Sequence, residues 1–165
     1  MKLPFDRGLF HKFILYNSCI ILMSLILGKY KNIKRLGKGA FGDVLLVKDE
    51  HEEEFAIKLI NKKLIEKDPY LEEYLDGEKE CMMSFKSQYI MRLIDFSEDE
   101  KYMYMICEYC NGGDLLNHQA KQQNKIFSLE KATEILAEII KGLELLHQNG
   151  YIHRDIKPQN ILIKY

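Results

Sequence analysis

The chain lacks a dominant charge: 24 lysines and arginines stand against 25 aspartates and glutamates, a net -1 at pH 7 over 165 residues. The two signs are mixed along its length, so no stretch offers the basic footprint by which proteins hold a nucleic-acid backbone, and no nucleic acid is expected as a partner. A nucleotide carrying its own metal needs only a local site, and that class stays open. Cysteine is also sparse. Of Cys19, Cys81, Cys107 and Cys110 only the last two are close, in Cys107-Glu108-Tyr109-Cys110. A zinc site needs two more ligands at similar spacing, and a redox pair needs a helix starting after its first cysteine; neither pattern is visible. Free thiols fit a reducing cytosol. No segment is repeated. With 47% hydrophobic residues the chain can build one ordinary domain with a core and is not disordered by composition.

Long apolar runs are nearly missing too. The one uncharged stretch, residues 13–27, lies between Lys12 and Gly28-Lys29. A membrane span takes about 17 to 25 residues, so this run is short, and Asn17, Ser18 and Ser24 weaken it. It also has no convincing small-x-small cleavage site for a signal peptide. Three readings stay open: a membrane anchor, a helix packed on protein, and an extension that is no working part of the mature protein. If the run spans a membrane, Lys29, Lys31, Lys34, Arg35 and Lys38 behind it outnumber Lys2, Arg7 and Lys12 ahead of it, which puts the C-terminal side in the cytosol. The expected location is cytoplasmic, tethered to a membrane under the first reading.

What the chain does have is a polar loop near its end. His153-Arg154-Asp155-Ile156-Lys157-Pro158-Gln159-Asn160 is flanked by the apolar Leu143–Leu146 and Ile161–Ile163, the pattern of an active-site loop between a buried helix and a buried strand. Pro158 has no N–H and disfavours helix at Lys157, so the loop should be extended or turned. Upstream, Leu36-Gly37-Lys38-Gly39-Ala40-Phe41-Gly42-Asp43-Val44 supplies three glycines whose backbone can approach phosphate oxygens because no Cβ intervenes. A dinucleotide-binding turn would lead into a helix, with an acid about 20 residues on. Here β-branched and apolar residues follow, and then Lys58, so a hairpin over the phosphates is expected.

Asp49 to Glu54 reads as a solvated turn. After it, Phe55-Ala56-Ile57-Lys58-Leu59-Ile60 sets one lysine in an apolar strand, where an ammonium needs an anion or access to solvent. The anion can be chosen by periodicity. Asp68-Pro69 is a good helix start, Leu71, Leu75, Met82 and Phe85 mark an inner face, and Glu78 fills the gap in that series. Glu80, about 200° further round, should face water. Two strands, Tyr89 to Phe96 and Tyr102 to Glu108, then reach Asn111-Gly112-Gly113-Asp114, whose paired glycines mark a flexible connection and a lobe boundary. Ser128 caps a long amphipathic helix with Ala132, Leu136, Ile139, Leu143 and Leu146 on its stripe and Asn149-Gly150 as its stop.

The stretch from His153 to Asn160 resembles the catalytic loop of protein kinases, with Ile156 where leucine is usual, and Gly37 to Val44 resembles their glycine loop. Lys157, two residues after Asp155, is similar to the serine/threonine class. The likeness covers residues 29–165. It implies an α+β, protein-kinase-like fold: an antiparallel five-stranded small lobe with one helix over 29–110, then a hinge and the start of a mainly helical large lobe over 111–165, preceded by the extension 1–28. It implies ATP and Mg2+ as cofactors and a protein substrate with a Ser/Thr hydroxyl. By that likeness Asp155 accepts or orients the hydroxyl, Lys157 neutralises charge on the transferred phosphoryl, Asn160 holds magnesium, and Lys58, pinned by Glu78, positions the α and β phosphates. Leu36, Gly37, Gly39, Gly42, Val44 and Ala56 would enclose the nucleotide. The adenine edge would bond the backbone around Glu108 and Cys110, Asp114 would meet the ribose, and the small Cys107 would stand behind the adenine. The chain departs from the family in having no Asp-Phe-Gly, no activation segment and no Ala-Pro-Glu. The expectation is therefore a kinase fragment that does not phosphorylate protein at a normal rate as it stands; the alternative is a non-catalytic nucleotide-binding or interaction module, a truncated pseudokinase. The helix from Ser128 is expected to expose apolar surface.

Overall fold

Successive side chains of a strand point to opposite faces, and this chain makes a separate core on each face of one sheet. The computed structural model describes residues 25–165 apart from Ala40. Its main sheet is antiparallel, with β1 (Leu25–Ile26), β2 (Tyr30–Lys38), β3 (Asp43–Lys48), β4 (Glu54–Asn61), β5 (Leu93–Glu98) and β6 (Tyr102–Glu108) in the order β1-β2-β3-β4-β6-β5. In β6, Met103, Met105 and Cys107 face one side, and Tyr102, Tyr104 and Ile106 the other.

The first face, with Ile60, Leu93, Met105 and Cys107, packs under Leu71, Leu75 and Met82. Those three belong to α2 (Pro69–Ser84), capped by the Asp68 carboxylate on the Tyr70 N–H and preceded by the one-turn α1 (Lys62–Ile65). The second face curls on itself around Tyr30, Val47, Ile57, Tyr104 and Ile106. The curl brings the two edges together: Lys29, in the turn between β1 and β2, pairs with Asp95 of the opposite edge strand at 3.0 Å.

The sheet has six strands rather than the five expected. Leu25 and Ile26 pair with Lys31 and Tyr30 through a turn at Leu27 and Gly28, both at positive φ, and Ile26 and Leu27 pack on the second core. The end of the apolar run is thus spent on the sheet, which composition alone does not reveal. The rest of that run, residues 13–24, lies outside the described residues. Among the described residues no helix is long and apolar enough to cross a membrane. The small lobe also has a second helix, α1, whose one turn is too short to carry a period; it is held by the Asn61 side chain accepting from the Lys63 N–H.

Past the connection, β7 (Gly113–Asp114) pairs with β8 (Leu162–Ile163). Between them lie α3 (Leu115–Ala120) and α4 (Leu129–Gln148), the latter capped by Ser128. Gly142 lets α4 come close to the segment before β5, where an added Cβ would stand 3.2 Å from the Tyr89 carbonyl oxygen. Leu129, Leu136 and Ile140 of the same helix are more than half exposed. Leu75, only 2% exposed, joins α2 to the sheet. Leu75→Ala should lower stability by about 2 to 5 kcal/mol, seen as a lower urea midpoint at unchanged slope; a loss under about 1 kcal/mol would mean α2 is not seated there.

Candidate active site

Lys58 sits on β4 opposite Val44 of β3 and Met105 of β6, and the strand alternation aims it at the α2 side. Glu78, one turn after Leu75, faces it. The Lys58 ammonium donates to both carboxylate oxygens of Glu78, at 2.9 and 2.8 Å, and each side chain keeps 27% of its exposure. Glu78 is half-buried, while Glu80 faces solvent. The pair is charge-assisted on both oxygens and so fixes the roll of α2 about its axis as well as its distance from the sheet.

The glycine turn lies down along β4. Gly39 N–H donates to the Gly42 carbonyl at 2.7 Å, and Asn61 N–H to the Phe41 carbonyl at 3.3 Å. At Gly42, φ is +154° and an added Cβ would fall 1.8 Å from the Leu59 carbonyl oxygen, so no side chain fits. The Phe41 ring folds against the first core, its centroid 5.9 Å from the Lys58 ammonium and 6.2 Å from that of Tyr74. Gly37 pairs with Val44, Ala56 lies between Leu46 and Cys107, and Leu36 is exposed.

The polar loop holds its shape through its own side chains. Arg154 takes φ +64°, and Asp155 N–H turns back to the His153 carbonyl at 2.9 Å. A left-handed residue of this type costs roughly 1 to 2 kcal/mol, so the loop around it must hold it. It does: Asp155 Oδ2 accepts from Lys157 at 2.7 Å and from the Asn160 amide at 2.8 Å, and that amide also reaches the Asp155 carbonyl at 2.8 Å. Asn160 donates its NH2 to Asp155, and its amide oxygen takes no hydrogen bond among the described residues. Asp155 Oδ1 takes no hydrogen bond among the described residues. Two hard oxygens thus remain at the loop, a donor type that suits magnesium. The Lys157 ammonium and then the Asn160 amide hold the Asp155 carboxyl below its ordinary range.

At the connection, Cys107 is buried in the first core, and burial pushes its thiol up to about 12, with the Lys58 charge opposing and the Glu78 charge adding. Cys110 is half-buried and also raised, chiefly by burial. Cys81, Cys107 and Cys110 are free thiols. Asp114 caps α3, one oxygen accepting from Asn117 N–H at 2.8 Å and the other from the Asn117 amide. The carboxylate that the likeness assigns to the ribose also holds a helix start.

Two residues outside the sequence reading touch these parts, Tyr74 beside Phe41 of the glycine turn and Tyr151 beside Phe85. Tyr74, one turn before Glu78 on α2, has its hydroxyl raised by burial and by the Glu78 and Asp155 carboxylates, with Arg154 and Lys157 pulling the other way. Phe85 at the end of α2 meets Tyr151, just before the loop, edge to face at 5.7 Å. The step of four from Tyr74 to Glu78 was the available signal, but a tyrosine off the apolar stripe does not announce a contact.

The sequence model of the protein kinase domain family matches residues 30–165. Calcium-dependent protein kinase 4 of Plasmodium berghei is 37% identical over 137 residues, which are 82% of this chain and 25% of that protein. The 3-phosphoinositide-dependent protein kinase B of Dictyostelium discoideum is 41% identical over 132 residues, 79% of this chain and 14% of that one. Serine/threonine-protein kinase cot-1 of Neurospora crassa is 35% identical over 136 residues, 81% of this chain and 22% of its own length. The chain spans a quarter or less of the length of these relatives.

The geometry of the loop carries a pH prediction. Because the folded Asp155 carboxyl lies below its ordinary 3.8, its contacts contribute fully above that value and are lost as pH falls through the depressed one. Carbon-13 titration of the Asp155 carboxyl should give a midpoint below 3.8 that moves up toward it in Lys157→Met. An identical midpoint in both proteins would mean the ion pair does not form in solution.

Proposed function

The chain belongs to the protein kinase domain family, and from that premise we propose that it binds ATP with magnesium in the cleft bordered by the glycine turn, Lys58, the connection and the polar loop. The phosphoryl acceptor in this reading is a Ser/Thr hydroxyl of a protein, as the printed name of the Neurospora relative states for that protein. The observation that carries the reading is the Lys58–Glu78 pair at 2.8 Å, formed in the same chain as an assembled Asp155–Lys157–Asn160 loop.

Lys58, held by Glu78, presents its third N–H to the α and β phosphates, and the glycine turn lies above them. Asn160, through its amide oxygen, would hold the magnesium ion, which would offset charge on the phosphates when bound. Asp155 Oδ1 orients the acceptor hydroxyl and takes its proton. The oxygen so freed bonds to the γ-phosphorus as the bond to the ADP oxygen breaks, and Lys157 offsets charge on the moving group. Positioning and electrostatics supply most of the acceleration.

A second reading is a nucleotide-binding or interaction module without transfer. Purified chain with ATP and magnesium separates the two. Nucleotide at 100 times its Kd should stabilise the fold by about 2.7 kcal/mol, and Lys58→Met should abolish this. Phosphate transfer to a generic Ser/Thr substrate, lost in Asp155→Asn, supports the enzyme; stabilisation without transfer supports the module; neither effect refutes both.

A further inference from the structure

Glu108 ends β6 and opens the connection between the lobes, and its carboxylate is engaged on both oxygens. Oε1 accepts from the Arg92 backbone N–H at 2.8 Å, and Oε2 receives the Lys164 ammonium at 2.5 Å, from 56 residues further along the chain. The N–H of Glu108 itself donates to the Arg92 carbonyl at 3.1 Å, so the residue clips the start of β5 by backbone and side chain together. Burial acts to raise the carboxyl, but Lys164 and the Arg92 N–H outweigh it and hold it below its ordinary range.

The segment that carries Lys164, just after β8, is laced to the same connection. Gly112 N–H donates to the Ile163 carbonyl and Leu115 N–H to the Ile161 carbonyl, each at 2.8 Å, and Tyr165 N–H to the Asn111 side chain at 2.9 Å. Gly112 must be glycine here, since a Cβ would come within 2.7 Å of Ile163. From the other side, a His118 ring nitrogen lies 2.8 Å from the Gly112 carbonyl. One carboxylate thus joins β5 of the small lobe, the connection, and the strand that follows the Asp155–Asn160 loop.

We propose that Glu108 and Lys164 form a latch across the connection that fixes the angle between the lobes, with Lys164 acting as a positioning residue for the cleft. Exposed ion pairs usually contribute little, because two long side chains must be ordered for one contact. Here Glu108 keeps only 20% of its exposure and is already ordered by a backbone donor, while Lys164, 57% exposed, supplies the mobile half. Opening the cleft turns the large lobe about a few connection residues. That motion stretches a charge-assisted bond, a restraint that is lost without Lys164. The effect on nucleotide rests on the proposed function; the latch itself does not.

The test uses the full chain as wild type, Lys164→Met, Glu108→Gln, the double variant and Lys164→Arg, all changed at or near the surface. Amide exchange at Gly112 and Leu115 is read without nucleotide, and the release of a fluorescent ATP analogue with magnesium by chase. Lys164→Met should speed both by roughly three- to tenfold, the scale of one weakened charge-assisted bond. Lys164→Arg should stay near wild type, and the double variant should be no faster than the faster single one. Wild-type exchange in Lys164→Met, or single effects that add in the double, overturns the latch. A wild-type chain that binds no nucleotide refutes the nucleotide reading, and amide exchange then decides the latch alone.

Discussion

An ammonium on an apolar strand has to be met by an anion, and the placement of Glu78 opposite Lys58 is the constraint from which the small lobe takes its form. The pair joins the middle of the sheet to the middle of α2 across the first core, at 2.8 Å. Apolar packing through Leu71, Leu75 and Met82 would let the helix slide or roll at modest cost; a bidentate ion pair does not. With α2 fixed, Phe85 at its end is fixed too, and it meets Tyr151 just before the polar loop.

The remaining parts are arranged so that the polar groups of the cleft rest on rigid neighbours. The sheet closes a second core on its far face and is pinned edge to edge by Lys29 and Asp95. Phe41 bridges the glycine turn to the first core beside Lys58. The polar loop stores a left-handed Arg154 and compensates it with three contacts on Asp155 and Asn160. Only the connection is narrow, and there the chain's last strand runs alongside it.

How much of this could be read from residues follows the range of the interaction. The Asp68 and Ser128 caps, the alternation in β4 and β6, and the inner-face position of Glu78 are set within a few residues, and local spacing carries them. The family likeness rested on spacing of the same local kind, in the loop and the glycine turn, and the comparisons agree with it over residues 30–165. What spacing could not carry was contact between distant segments. Leu25 and Ile26 read as the tail of an apolar run until a curled sheet gives them an edge to pair with. Lys164 reads as a terminal surface lysine until β8 brings it to Glu108. Asp114, given a ribose contact by the likeness, also caps a short helix, a role that only the fold reveals.

The central claim is that Lys58 on the sheet and Asn160 on the loop face one nucleotide. Binding of ATP with manganese in place of magnesium, followed by paramagnetic broadening of side-chain signals, tests it most directly. The account predicts that Lys58 and Asn160 broaden together at equimolar metal nucleotide, while Lys29 and Asp95 at the far edge of the sheet stay sharp. Broadening of one site without the other would contradict it.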